Sequence, residues 1–113
     1  MVMPKPPAEF CIDSFKYHEY LGENEWMEPV YDDPIKIENC RIDRGAEYSS
    51  SSSGKQLLYN AVVFCYEGIT DPLPDFKAES ILNFDGIDHK LTKVIPIYEP
   101  YEKTIYSYEL EVV

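Results

Sequence analysis

Apolar and polar side chains alternate in a β-like rhythm along nearly the whole chain. At the carboxyl end, Tyr106, Tyr108, Leu110 and Val112 alternate with Ser107, Glu109 and Glu111. An extended backbone over 105–113 therefore sets an apolar face against an acidic one, which predicts a half-buried antiparallel strand. Residues 57–66 differ. Leu58, Val62, Phe64 and Tyr66 occupy one face, Leu57, Tyr59, Ala61, Val63 and Cys65 the other, and only Asn60 interrupts. A strand apolar on both sides lies within a sandwich or barrel, or has its outer face covered by a partner. Residues 81–98 read as a hairpin folded at Asp85-Gly86, a dipeptide suited to positive φ in a tight turn, with Ile87 and Asp88 widening the loop. Pro96 belongs at a bulge or an edge, because it cannot donate to a ladder.

Toward the amino end, residues 10–21 predict a strand with Cys11, Phe15 and Tyr17 on one face and Ile12 and Tyr20 on the other. Residues 23–33 form an acidic excursion holding the only tryptophan, Trp26, and Pro29 and Pro34 bracket its second half, so the segment reads as a turn or flap. Residues 35–42 give a further strand. The best helical candidate is a turn or two over 76–82. About six strands in one domain spanning 1–113 predict an all-β fold, a small antiparallel barrel or sandwich, with closure into a barrel removing exposed edges.

Two connections break the rhythm. Residues 45–56 form a long polar loop containing five consecutive serines, a composition that is flexible and does not bury itself. Residues 68–76 are stiffened by Pro72 and Pro74. The first nine residues, with prolines at 4, 6 and 7 and no apolar stretch, read as a solvated arm rather than a secretory signal.

Composition narrows the function. The 113 residues carry 10 Lys plus Arg against 21 Asp plus Glu, a net charge of −11. Such a chain repels phosphate backbones and anionic membrane surfaces, since affinity for both comes from cations. Hydrophobic residues make up 44%, too many for a disordered chain, and no apolar run reaches the roughly 18 residues of a membrane helix. Cys11, Cys40 and Cys65 are odd in number and lack a C-x-x-C pair, so they are expected to be free, buried thiols in a reducing cytosol.

A search for chemistry finds no constellation. Gly54-Lys55 fails as a phosphate loop because Gln56 stands where a magnesium-ligating Ser or Thr belongs. His18 and His89, read as outward-facing, have no ligand at metal spacing. The pairs Asp71/Asp75 and Asp85/Asp88 miss the spacing of a calcium loop, and there is no G-x-S-x-G elbow. The expectation is a non-enzyme without metal or cofactor. Ten tyrosines fit a protein interface, where the ring buries area and the hydroxyl finds a partner. Trp26, Tyr98, Tyr101, Tyr106 and Tyr108 are the interface candidates, with a core role equally open for Tyr106 and Tyr108. A nucleic-acid-binding barrel would need a cationic groove that this composition does not supply.

The order Ile37-Glu38-Asn39-Cys40-Arg41-Ile42-Asp43-Arg44, a polar loop, Ala61-Val62-Val63-Phe64-Cys65-Tyr66-Glu67-Gly68, Ile81-Leu82-Asn83-Phe84-Asp85-Gly86 and a closing Tyr106-Ser107-Tyr108-Glu109-Leu110 resembles the minor capsid proteins of tailed phages and prophages of Gram-positive bacteria. The resemblance implies a head-completion, or stopper, protein of the head–tail connector. It implies a β-barrel made in the host cytoplasm and assembled in the virion as a ring of six or twelve copies beneath portal and adaptor proteins, closing the channel and docking the tail. DNA is then cargo in the channel and not a sequence-specific ligand, and no membrane is involved. The loop residues Gly45, Glu47, Tyr48, Ser49, Ser50, Ser51, Ser52, Ser53, Gly54 and Lys55 match the channel-closing loop of such proteins, although mixed polar residues would be expected where the serines stand. A tail-completion or tail-terminator protein is the alternative.

Overall fold

The barrel is built by strands whose inward positions are apolar and whose turns carry the residues a sharp reversal needs. A computed structural model describes residues 5–51 and 54–113. Along them run β1 (Asp13–His18), β2 (Tyr20–Glu23), β3 (Pro29–Tyr31), β4 (Ile35–Asp43), β5 (Glu47–Ser51), β6 (Gly54–Tyr59), β7 (Ala61–Tyr66), β8 (Ile81–Phe84), β9 (Ile87–Tyr98) and β10 (Ile105–Val112). Six of them close an antiparallel barrel in the order β1-β4-β7-β10-β9-β8, while β2-β3 and β5-β6 form separate two-stranded ribbons. The all-β barrel expected from the sequence is the fold observed.

Alternation decides what points inward. In β7, Ala61, Val63 and Cys65 are buried and Val62, Phe64 and Tyr66 are half-buried. Ile37, Val63, Leu82, Leu91 and Leu110 are fully buried in the barrel interior, each contributing roughly 1.5–3 kcal/mol of transfer free energy. Phe76, from the proline-stiffened connection, closes over this core with its ring edge-on to Tyr17 (5.2 Å) and Tyr108 (5.3 Å). The segment over 76–82 is therefore not helical. Phe76 is a core residue, Lys77 to Glu79 turn, and Ile81 already belongs to β8.

Other expectations shift in detail. The strand read over 57–66 breaks at Asn60, whose amide donates to Val112 O at 2.7 Å, so that β7 stays in the barrel while β6 leaves it. The strand read over 10–21 is a 3-10 turn at Ala8–Phe10 followed by β1 and β2. Asp85 (φ 56°) and Gly86 (φ 73°) make a two-residue turn, and Ile87 and Asp88 pair with Phe84 and Asn83 rather than widening it. Pro96 sits opposite Tyr108, in a part of β9 beyond the reach of its pairing with β8, where a missing donor leaves no ladder bond unmade.

Register places the appendages. Asp13 of β1 opposes Cys40 of β4, and Val112 of β10 opposes Ala61 of β7. The β4–β5 connection, the β8–β9 turn and the carboxyl terminus therefore share one rim of the barrel. The β2–β3 flap and the loop between β9 and β10 share the opposite rim. A Cα radius of gyration of 15.3 Å exceeds the ~13 Å typical of a compact chain of this length, as expected when ribbons project from a barrel.

Candidate functional site

The polar loop is the clearest correction. Residues 45–56 were expected to lack structure, yet the segment folds into the ribbon β5-β6, with Tyr48 opposite Leu57, Ser49 opposite Gln56, Ser50 opposite Lys55 and Ser51 opposite Gly54. Ser52 and Ser53 lie outside the described residues. The ribbon is inserted between two strands that are themselves paired, since Arg41, Ile42 and Asp43 of β4 oppose Phe64, Val63 and Val62 of β7. It is thus a continuation of the β4–β7 pair past the rim. The five residues of β5 extend it by about 16 Å. Gly54, at φ 117°, occupies a backbone region that side-chain-bearing residues rarely adopt.

An ionic fork holds the ribbon's root. Arg44, one residue past β4, donates from Nε to Asp85 Oδ2 at 2.6 Å and from Nη2 to Asp85 Oδ1 at 3.1 Å. The same Nη2 reaches Asp13 Oδ1 at 3.4 Å, and Asp13 Oδ2 accepts from the amide of Ile42 at 3.0 Å. The guanidinium hydrogen bond holds the Asp85 carboxyl below the usual carboxylate range. A planar guanidinium gripping a carboxylate at two points fixes direction as well as distance, so the rim at which the ribbon begins is stiff. The sequence offered Asp85 only as a turn residue. Arg44 and Asp13 carry no local signal, because their meeting depends on barrel closure.

The aromatic candidates separate. Trp26 (71% exposed), Tyr98 (54%) and Tyr101 (81%) stand in solvent at the rim opposite the serine ribbon. Tyr98, Glu99, Pro100, Tyr101, Glu102 and Lys103 line a surface groove there. Tyr106 is half-buried on the outer wall, its ring edge-on to Tyr66 and under the Lys5 ammonium at 4.7 Å. Tyr108 is a core residue and leaves the interface set. Its ring is buried, its hydroxyl donates to Asp75 Oδ1 at 3.1 Å, and burial raises its pKa.

The amino-terminal arm lies partly within the described residues. Residues 1–4 lie outside the described residues. Lys5 pairs with the buried carboxylate of Glu99 at 3.8 Å, and Pro6 and Phe10 border a pocket with Cys11, Arg41 and Tyr66. Lys5 and Pro6 thus lie half-buried against the outer wall, while Pro7, Glu9 and Phe10 are exposed.

Cys11, Cys40 and Cys65 are all buried free thiols. Burial pushes Cys40 up to about 12 and Cys65 well above its ordinary value. A thiol raised in this way forms the reactive thiolate less readily than an exposed cysteine does. His89, expected to face outward, is half-buried with its ring stacked 4.1 Å from that of Phe84. Among the described residues, no three His, Cys, Asp or Glu side chains are arranged to hold a metal ion.

Comparison with known proteins identifies the family. The family model described as minor capsid protein matches residues 7–112. The chain belongs to the minor capsid protein family. A relative from Lactococcus phage LL-H, described as uncharacterized protein ORF5, is 28% identical over 80 residues that cover 68% of each chain. No solved structure matches. Membership in the minor capsid family gives the barrel a structural role in the phage particle.

Proposed function

We propose that this minor capsid protein is a head-completion subunit of the head–tail connector. Copies form a ring of six or twelve below the portal and adaptor, close the DNA channel with their serine ribbons, and offer the tail a docking surface. The observation that carries this reading is the ribbon itself, a polar β-hairpin rooted by Arg44 and projecting past the rim of an otherwise closed barrel. One such hairpin blocks nothing, but several directed at a common axis fill it, and their hydroxyls and strand edges offer hydrogen bonds to one another.

Electrostatics supports the same role. Each copy brings a net charge of −11, and a ring multiplies it around the passage. A wall of like sign keeps DNA from adhering, so the duplex slides when the ribbons part.

The test is a shortened ribbon. Replacing residues 49–56 by Asn-Gly joins the Tyr48–Leu57 pair through a two-residue turn and leaves the barrel strands untouched. Particles carrying this variant are expected to package DNA and then lose it before tail joining. Heads that stay full without tails would refute the channel-closing role.

A further inference from the structure

At the rim opposite the serine ribbon, β2 and β3 form a flap that closes in a tight loop over residues 24–28. Asn24 organises it. Its amide donates to Glu28 O at 2.9 Å, its carbonyl accepts from Met27 N at 3.0 Å, and its Oδ1 accepts from the amides of Trp26 (2.9 Å) and Glu28 (3.0 Å). The base is fixed as well, because the buried Ser80 Oγ accepts from Tyr20 N at 2.9 Å and Asp32 N donates to Glu19 O at 2.8 Å. These bonds order the loop without any help from the Trp26 and Met27 side chains. Those side chains are 71% and 80% exposed, and Leu21 and Val30 are exposed on the strands beneath them. Met27 is held at φ 62°, where glycine or asparagine sits at least cost. A large apolar residue is thus kept in water, in an uncommon backbone conformation, on a rigid loop whose folding does not use it.

The charge around the tip is one-sided. Glu19, Glu23, Glu25, Glu28, Asp32 and Asp33 lie within residues 19–33, which contain no Lys or Arg. None of the six forms an ion pair among the described residues.

We propose that the flap tip is a plug that inserts Trp26 and Met27 into an apolar pocket of a different protein of the particle, a pocket rimmed by Lys and Arg that pair with the flap's carboxylates. Charge complementarity selects this occupant. A second copy would bring its own net −11 against the six carboxylates, and DNA would bring phosphates. Rigidity favours insertion, because the ordering cost is met within the free chain and an exposed tryptophan is the residue type that most often anchors an interface. This inference is independent of channel closure, since it concerns the other rim and holds whichever neighbour stands there.

The experiment places photoreactive benzoylphenylalanine at position 26 in the full chain, assembles particles in infected cells, irradiates them and maps the cross-link by mass spectrometry. The expected result is one dominant adduct to a different particle protein, at a site flanked by Lys or Arg. An adduct to another copy of this chain, an adduct to DNA, or no adduct overturns the proposal. In parallel, Trp26→Ser and the pair Glu25→Lys with Glu28→Lys are expected to lower incorporation into particles about tenfold or more while thermal stability stays that of the parent. Parental incorporation of both variants also overturns it.

Discussion

Arg44 and Asp85 meet in a two-pronged salt bridge, Nε to Oδ2 at 2.6 Å and Nη2 to Oδ1 at 3.1 Å, joining the end of β4 to the β8–β9 turn. Forty-one positions separate them in sequence, and the closed barrel brings them to the rim from which the serine ribbon leaves. Removing the guanidinium frees the turn from the ribbon's root. In Arg44→Ala the barrel is expected to persist, the Asp85 carboxyl to titrate back at its ordinary value near 3.8, and ribbon amides to exchange faster. Carbon-detected titration and hydrogen exchange read these effects. Because Asp85 is depressed in the folded chain, its contribution is present above its ordinary pKa and is lost only as pH falls through the lowered one.

His89 responds to pH in a different window. Burial lowers its pKa below 6.5, against the opposing pull of Asp85, Asp88 and a backbone hydrogen bond at Phe84, and its buried Nε2 has no hydrogen-bond partner among the described residues. A histidine whose folded pKa is depressed stabilises the fold fully above 6.5, and that stability is lost as pH falls toward the lowered value, because the unfolded chain takes up the proton first. Unfolding free energy measured between pH 7.5 and 6 is expected to decline with acidification. His89→Phe, which keeps the stack on Phe84, should flatten the slope. An unchanged slope would count against the assignment.

Ser80 is a small residue with a large structural role. Fully buried, its Oγ accepts from Tyr20 N at 2.9 Å and lies 3.2 Å from the Tyr17 hydroxyl, which in turn accepts from Lys77 N at 2.9 Å. Ser80→Ala leaves the half-buried Tyr20 amide without this acceptor and is expected to cost about 1–3 kcal/mol in denaturant unfolding. Faster exchange confined to the β2–β3 flap should accompany the loss.

How much of this was legible in the sequence depended on whether neighbours along the chain or across the barrel decided the outcome. The alternation of β7 could be read directly, because Ala61, Val63 and Cys65 need only a strand and an inside. In β10 the phase slips. Ile105 opposes Tyr98 while Ser107 opposes Ile97, so a bulge at Tyr106 lets both Ser107 and Tyr108 be buried, and strict alternation misses this. Five serines carry no alternation at all. The β pairing of Ser49, Ser50 and Ser51 follows from the β4–β7 register behind them, a long-range cause that local composition does not express. The ionic fork at Arg44 and the bridge at Ser80 were invisible for the same reason.

The thiols offer a check on the core. Cys11, Cys40 and Cys65 are buried and their pKa values are raised, so the thiolate that reacts with alkylating reagents is scarce in the folded chain. Iodoacetamide at neutral pH is expected to leave all three unmodified in the native protein and to label all three in urea. Rapid labelling of Cys40 or Cys65 under native conditions would contradict the burial described above.

The most direct test of the channel-closing role is a cryo-electron microscopy reconstruction of the head–tail vertex in DNA-filled particles. The expected density is a closed ring of this barrel between portal and tail, its residue 47–59 ribbons converging on the central axis. Barrels spread over the head shell, or a ring whose ribbons point away from the axis, would contradict it.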